Sequence, residues 1–248
     1  MLTIQENRID RTIKHLFNEA KRLTSRTLQV LTLAGLTAAT SAHANADQTF
    51  GQITTFSQVP ATPGFPEGIA VEGNRVFVSG PARFGTAGTG PSTIQVYNRK
   101  SGHITQTIAV QGESLAFEHA LSNVAIDGDG DVYALSTQLG VLRFSKQGQS
   151  YVQSSYGAPL PDLLPLPGTF VDFPPIPNDL VFDDAGYLYV TDSLQGTIFR
   201  YSPNGGQPQV WFQSELLLGG GFLPFGANGL RLDPSRQWMY VVSTTSLD

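Results

Sequence analysis

Ile176-Pro177-Asn178-Asp179-Leu180-Val181-Phe182-Asp183, continuing through Gly186-Tyr187-Leu188-Tyr189-Val190-Thr191-Asp192, is the stretch from which the fold can be read. A small polar anchor opens a short apolar run, an Asp/Gly turn follows, and a second run rich in Val and Tyr completes the unit. Short β-branched and aromatic runs bounded by turn formers predict strands. The same grammar recurs three times. Glu67-Gly68-Ile69-Ala70-Val71 leads to Val76-Phe77-Val78-Ser79, and Ser122-Asn123-Val124-Ala125-Ile126 leads to Val132-Tyr133-Ala134-Leu135-Ser136. Asn228-Gly229-Leu230-Arg231-Leu232 leads to Met239-Tyr240-Val241-Val242-Ser243. The anchors Glu67, Ser122, Asn178 and Asn228 stand 55, 56 and 50 residues apart.

Between the anchored pairs come two further strand-like runs, for example 92–97 then 103–110, or 196–201 then 209–212, joined by turns at 98–102 and 203–206. Each unit is therefore expected to be a four-stranded meander. A twisted four-stranded blade cannot bury both faces alone, so repeats of this length predict an all-β propeller in which each blade packs on its neighbours. A two-sheet sandwich is the other arrangement, but it does not account for a repeated anchor. In a propeller the innermost strands line a central channel, so Glu67, Ser122, Asn178 and Asn228 are expected to face one another.

Composition fits many short buried strands joined by tight turns. Of 248 residues, 26 are Gly and 16 are Pro, hydrophobic residues make up 40% and charged residues only 14%. That balance excludes a disordered chain and a basic nucleic-acid binder. The formal net charge is −5, and the remainder after residue 46 is more acidic still, because the leader described next holds more bases than acids. An acidic field disfavours phosphate backbones and tolerates cations or neutral ligands. With no Cys, disulfides, zinc-thiolate sites and thiol catalysis are excluded.

Residues 1–46 read as a signal peptide or leader. Lys21, Arg22 and Arg26 precede an uncharged stretch centred on Leu28, Val30, Leu31, Leu33 and Leu36, and small residues end it at Ala44-Asn45-Ala46. Cleavage is expected after Ala46, giving a secreted or periplasmic chain of residues 47–248. A misassigned start codon and a retained membrane anchor are the other readings, since 1–26 also has amphipathic helical spacing. The apolar core is short and Thr-rich for a membrane span, so no stable membrane insertion is expected.

Glu67, Asn178 and Asn228 would bring one carboxylate and two amide carbonyls to a common centre. Hard oxygen donors suit a divalent metal, Ca²⁺ first and Mg²⁺ or Mn²⁺ after it, whereas a transition-metal site would normally show His or Cys. The plainer reading is that Asn and Ser at strand starts satisfy loop backbone groups.

At Phe65-Pro66-Glu67-Gly68, at the quoted 176–192 stretch and at Ala227-Asn228-Gly229-Leu230, the chain resembles the SMP-30/gluconolactonase/luciferin-regenerating-enzyme-like propellers. The resemblance spans about residues 60–244. It implies a six-bladed, metal-dependent lactonase whose ion is held by a blade-one Glu, a blade-four Asn and a blade-five Asp, with a blade-three Asn close by. Glu67, Asn228 and Asn178 match the first, second and fourth of these, and Ser122 falls where the family has no ligand. The blade-five Asp has no counterpart, so the expectation is a fragment of about three and a half blades. The implied chemistry is metal-assisted hydrolysis of a lactone or related ester, with Glu67 and Asn228 as ligands and Asn178 orienting substrate or water. A non-catalytic ligand-binding propeller and a strictosidine-synthase-like propeller are the alternatives, because fold alone does not choose a function.

Other features carry less. His119, on a loop just before Ser122, is a candidate general base or a solvated loop residue. Asp127-Gly128-Asp129-Gly130-Asp131 imitates a calcium loop but lacks the later Gly and Glu, having Val132 and Gln138 there, so a tight turn is expected. Asp183 and Asp233 occupy the same slot, and Asp192 is expected to cap a turn. The Gly-rich stretches 85–90 and 219–221 have no phosphate-cradle signature and are expected to be loops over the channel mouth. The Pro-rich segment 159–177 is either an apolar lid or packing across blades two and three.

Overall fold

The computed structural model describes residues 53–60, 65–82, 84–166, 172–221 and 224–245, so the leader expected at 1–46 lies outside the described residues. Strand-forming runs become three antiparallel meanders. The first is β1 (Gly68–Glu72), β2 (Arg75–Gly80), β3 (Thr93–Asn98) and β4 (Ile104–Ala109). The second is β5 (Leu121–Ile126), β6 (Val132–Ser136), β7 (Gly140–Gln147) and β8 (Ser150–Gly157). The third is β9 (Pro177–Phe182), β10 (Leu188–Asp192), β11 (Thr197–Ser202) and β12 (Gly205–Gln213), and a hairpin of β13 (Ala227–Leu232) and β14 (Met239–Ser243) follows. The fold is all-β and propeller-like.

The innermost strands β1, β5, β9 and β13 lie side by side, and β2, β6 and β10 each pack on the inner strand of the next unit. Side chains alternate across a strand, so a strand between two blades must be apolar on both faces. All five residues of β6 are buried. Val132 and Ala134 join Phe77, Ile94 and Phe144 in the core between blades one and two. Tyr133 and Leu135 point the other way, into the core with Leu180, Val190, Phe199 and Tyr201. A smaller cluster of Tyr189, Ile198 and Leu230 joins blade three to the hairpin.

The acidic turns are built alike. Asp127 accepts from the backbone N–H groups of Asp129 and Asp131 at 3.0 Å, and Tyr133 Oη donates to its other oxygen at 3.1 Å. Asp183 accepts from Ala185 and Tyr187 at 2.9 Å and from Tyr189 Oη at 3.1 Å. Asp233 accepts from the N–H groups of Gln237 and Trp238. Asp131 is held by Arg143 Nε at 2.8 Å and by Lys146 N–H at 2.9 Å. These carboxylates are spent on turn and strand. Asp192, fully buried, accepts from Leu194 and Gln195 N–H and so caps its turn.

One strand is longer than its sequence suggested. The turn expected at 203–206 shrinks to Pro203-Asn204, because Gly205 already pairs with Ser202. Gly205 has φ +73°, and a Cβ there would lie 1.9 Å from the Tyr156 carbonyl oxygen, so only Gly lets the outer strands of blades two and three approach this closely. In the Pro-rich segment, Leu160 enters the second core, and Leu163 N–H donates to Gln195 Oε1 at 2.6 Å. Residues 160–163 thus pack along blades two and three, which favours the packing reading over the lid for that part.

Candidate functional site

A single backbone bond sets the level of the anchors. In all four units an N–H just beyond the second strand donates to the carbonyl two residues before the anchor. The pairs are Ala82 to Phe65 at 2.9 Å, Thr137 to Ala120 at 3.1 Å, Ser193 to Ile176 at 2.9 Å and Thr244 to Gly226 at 3.0 Å. In the last three units a β-bulge falls at the anchor. Register shifts between Leu121 and Asn123, between Pro177 and Leu180, and between Ala227 and Leu230. A bulge sets two residues opposite one and re-aims their side chains.

Glu67, Ser122, Asn178 and Asn228 consequently line one cleft of about 230 Å³. Thr137 and Thr244 add hydroxyls to it, and Ala82, Phe84, Ala120, Ile176, Pro177 and Phe225 make the rest of the wall apolar. The Glu67 backbone N–H is fixed to Ser79 O at 2.9 Å, but among the described residues no cation or donor meets its carboxylate. Partial burial between the cleft walls raises its pKa above the ordinary carboxylate value. The Asn178 side chain makes no hydrogen bond among the described residues. Asn228 Nδ2 donates to Thr244 Oγ1 at 2.6 Å, which leaves its Oδ1 to accept from or coordinate something else. Ser122 Oγ is spent on Leu135 O at 3.3 Å.

The oxygens left over among the described residues are therefore one desolvated carboxylate, two amide oxygens and the Thr137 hydroxyl, which is buried without a hydrogen-bond partner. This set fits a hard, oxygen-seeking cation such as Ca²⁺, because a carboxylate partly removed from water and without a counter-ion gains from one. Among the described residues no three of His, Cys, Asp and Glu cluster as a metal-binding group, so the charge at this centre rests on Glu67.

His119 is placed neither as the general base nor as the solvated loop residue that its position suggested. The residue is fully buried, with Nδ1 3.0 Å from Phe117 O and Nε2 2.9 Å from Gly90 O. Burial alone would depress the imidazole, but those two carbonyls, with Glu113 and Glu118 nearby, outweigh it and raise its pKa. A ring whose nitrogens both face carbonyl oxygens favours the doubly protonated form and has no free nitrogen to take a proton from water. It pins the loop at 84–90 to the segment that leads into β5. Glu118 helps, accepting from Thr86 N–H at 3.0 Å and Thr86 Oγ1 at 2.8 Å, and these bonds hold its carboxyl at about 2.

Two sets of residues escaped the sequence. One lies a single position past the anchors. Asp179, 3% exposed, accepts at Oδ1 from Leu180 N–H at 2.8 Å and from Asn123 Nδ2. Its Oδ2 accepts from Leu230 N–H at 2.8 Å and Arg231 Nη1 at 2.6 Å, so one carboxylate ties the inner strands of three units. Gly68 completes the row, since a Cβ there would lie 2.6 Å from Asn123 Oδ1. The other set is Phe84 and Phe225, whose ring centroids are 6.2 Å apart at 60°. The only sequence signal for the first was the succession Gly68, Asn123, Asp179, Gly229, and for the second the neighbouring Gly-rich loops.

No family model matches the chain, and no curated protein matches it. Among solved structures it is similar to a candidate 6-phosphogluconolactonase of Bacteroides uniformis ATCC 8492, at 15% identity and TM-score 0.41, over 76% of this chain and 50% of that one. It is also similar to virginiamycin B lyase of Staphylococcus aureus, at 16% identity and TM-score 0.42, over 71% of this chain and 62% of that one. The computationally designed Ika4 protein matches at 12% identity and TM-score 0.41, over 77% of this chain and 99% of that one. The chain thus spans about half the length of the Bacteroides protein. Likeness at this level carries no argument about activity, and the fold rests on the strands and cores described above.

Proposed function

We propose that the cleft is a divalent-cation site, with Ca²⁺ the best match, that assists hydrolysis of a lactone or related carboxylic ester. The observation that carries this reading is the Glu67 carboxylate, which has no partner among the described residues, is raised in pKa by burial and shares one cleft with the amide oxygens of Asn178 and Asn228. The resemblance to the gluconolactonase-type propellers at the same three residues supports it. Glu67 and Asn228 would hold the ion, with Thr244 fixing the Asn228 amide so that its oxygen is the atom presented. Asn178 keeps both a donor and an acceptor free, so it can orient the substrate carbonyl or the attacking water. A bound cation would polarise that carbonyl and lower the pKa of water.

The test is calorimetric titration of the full chain with Ca²⁺, alongside lactone turnover with and without chelator. Saturable binding and chelator-sensitive turnover, both lost in Glu67→Gln, are expected. Turnover indifferent to chelator overturns the proposal.

Ligand binding without turnover is the second reading, and one observation favours it. Glu67 is the only titratable side chain among the described residues lining the cleft, so once it holds a cation no side chain remains there as a base. Bound Ca²⁺ with no turnover of any lactone would select this reading.

A further inference from the structure

Phe84 stands where a large apolar side chain is costly. Its φ is +98°, a region that residues with a Cβ seldom occupy, and its side chain is 64% exposed. The neighbouring loop does not force that exposure through slackness. Gly85 and Thr86 N–H groups donate to Glu118, Gly88 N–H donates to Leu115 O at 2.7 Å, and His119 Nε2 meets Gly90 O, so the backbone is pinned on both sides of a buried Thr86. The pinned loop holds one ring out over the cleft. Phe225 meets it edge-on from the approach to β13, where the Thr245 N–H donates to the Phe225 carbonyl at 2.9 Å. The cleft is thereby mixed in character: Glu67, Ser122, Thr137, Asn178, Asn228 and Thr244 bring polar side chains to it, and the two Phe rings add to its wall an apolar surface that reaches from blade one to the fourth unit.

We infer that the ligand of this cleft is a lactone or ester bearing an alkyl or aryl substituent, received by Phe84 and Phe225. The inference rests on the hydrolase reading above and deepens it. A polyhydroxylated sugar lactone would set hydroxyl groups against rings that offer no hydrogen-bond partner, which costs binding, whereas an alkyl chain there is removed from water. One or two well-placed apolar contacts discriminate by about tenfold or more.

The experiment compares δ-decalactone with glucono-δ-lactone as substrates of the full chain in Ca²⁺, and measures by calorimetry the binding of an alkyl-substituted cyclohexanone, which has no ester bond to cleave. The expected result is a kcat/KM at least about tenfold higher for the alkyl lactone. In Phe84→Ala and in Phe225→Ala the ratio of the two kcat/KM values should fall about tenfold, and in Phe84→Tyr it should be largely retained. Because Phe84 is exposed, an unchanged melting profile is expected for its variants. Equal rates or preference for the sugar lactone, with the ratio unmoved by either Phe variant, would overturn the inference while leaving cation-assisted hydrolysis standing. Phe84-dependent binding of the ketone with turnover of neither lactone would sustain the apolar-ligand inference and overturn the hydrolase reading.

Discussion

Asn178 and Asp179 are neighbours in one bulge and have opposite fates. Asn178 faces the cleft with no hydrogen bond to its side chain among the described residues, while Asp179 is buried and accepts from Asn123, Leu180, Leu230 and Arg231. The contrast extends across the molecule. Among the described residues the row formed by Glu67, Asn178 and Asn228 is polar and largely unspent, whereas in the row one position on Asn123 and Asp179 are hydrogen-bonded to each other and to backbone N–H groups, and Gly68 leaves room for the Asn123 side chain. Burying polar groups is tolerable only when they are paired, so the saturated row holds blades together. An unspent row beside it is affordable only where water or a ligand reaches it, which is the physical ground for placing function there.

The largest effect that could break this division is at Asp179. Replacing it by Ala leaves Asn123 Nδ2 and the Leu230 N–H without their acceptor near three packed inner strands, and should cost about 3 kcal/mol in chemical denaturation of the full chain. A loss within the surface range of about 0.5 kcal/mol would mean that the clasp is not structural. The cation comes next. At roughly a hundredfold excess over its Kd, Ca²⁺ should stabilise the chain by about 2.7 kcal/mol. Glu67→Gln should abolish that gain, and it should also make the cation-free protein slightly more stable at neutral pH. The sign follows from burial, because a carboxylate whose folded pKa is raised disfavours the folded state once pH exceeds its unfolded value, and Gln cannot ionise.

His119→Gln sharpens the comparison from the side of the loop. Losing the charged ring should cost about 1 kcal/mol in acid, where both carbonyls are served by the wild-type imidazolium. The folded pKa of His119 is raised, so the wild-type contribution is full below the ordinary value of 6.5 and fades as pH rises through the folded value. Stability curves of wild type and variant measured from acid to mildly alkaline pH should therefore converge on the alkaline side; parallel curves would show that folding does not raise the pKa of the ring. The smallest effect on stability is expected at Asn178→Ala, within about 0.5 kcal/mol, together with a marked drop in lactone turnover. A large loss of stability there would move Asn178 into the structural row.

Much of this was legible in the chain. Alternation of apolar residues and acidic turns is local, so the strands of β5 and β6, or β9 and β10, follow from the residues alone together with their Asp127 and Asp183 turns. The spacing of the anchors then implied that Glu67, Ser122, Asn178 and Asn228 share one level, because equivalent positions in stacked repeats must converge. What could not be read was the direction of adjacent polar side chains. In a regular strand Asn178 and Asp179 would alternate faces, but a bulge sets both opposite one residue, and only the register with β10 reveals it. His119 misled for a related reason, since a His near a cleft suggests a base, and the two carbonyls that occupy it come from Phe117 and from Gly90, far away in sequence.

The sequence by itself determined the all-β class, the repeat, the acidic turns and the identity of the oxygen donors, because each depends on residue type and short-range spacing. The tertiary structure decided which donors remain unspent, which carboxylate became a clasp, and that Phe84 and Phe225 meet across the cleft. Those outcomes depend on hydrogen bonds and packing between residues on different strands, some of them fifty or more positions apart, and no local pattern records who the partner will be.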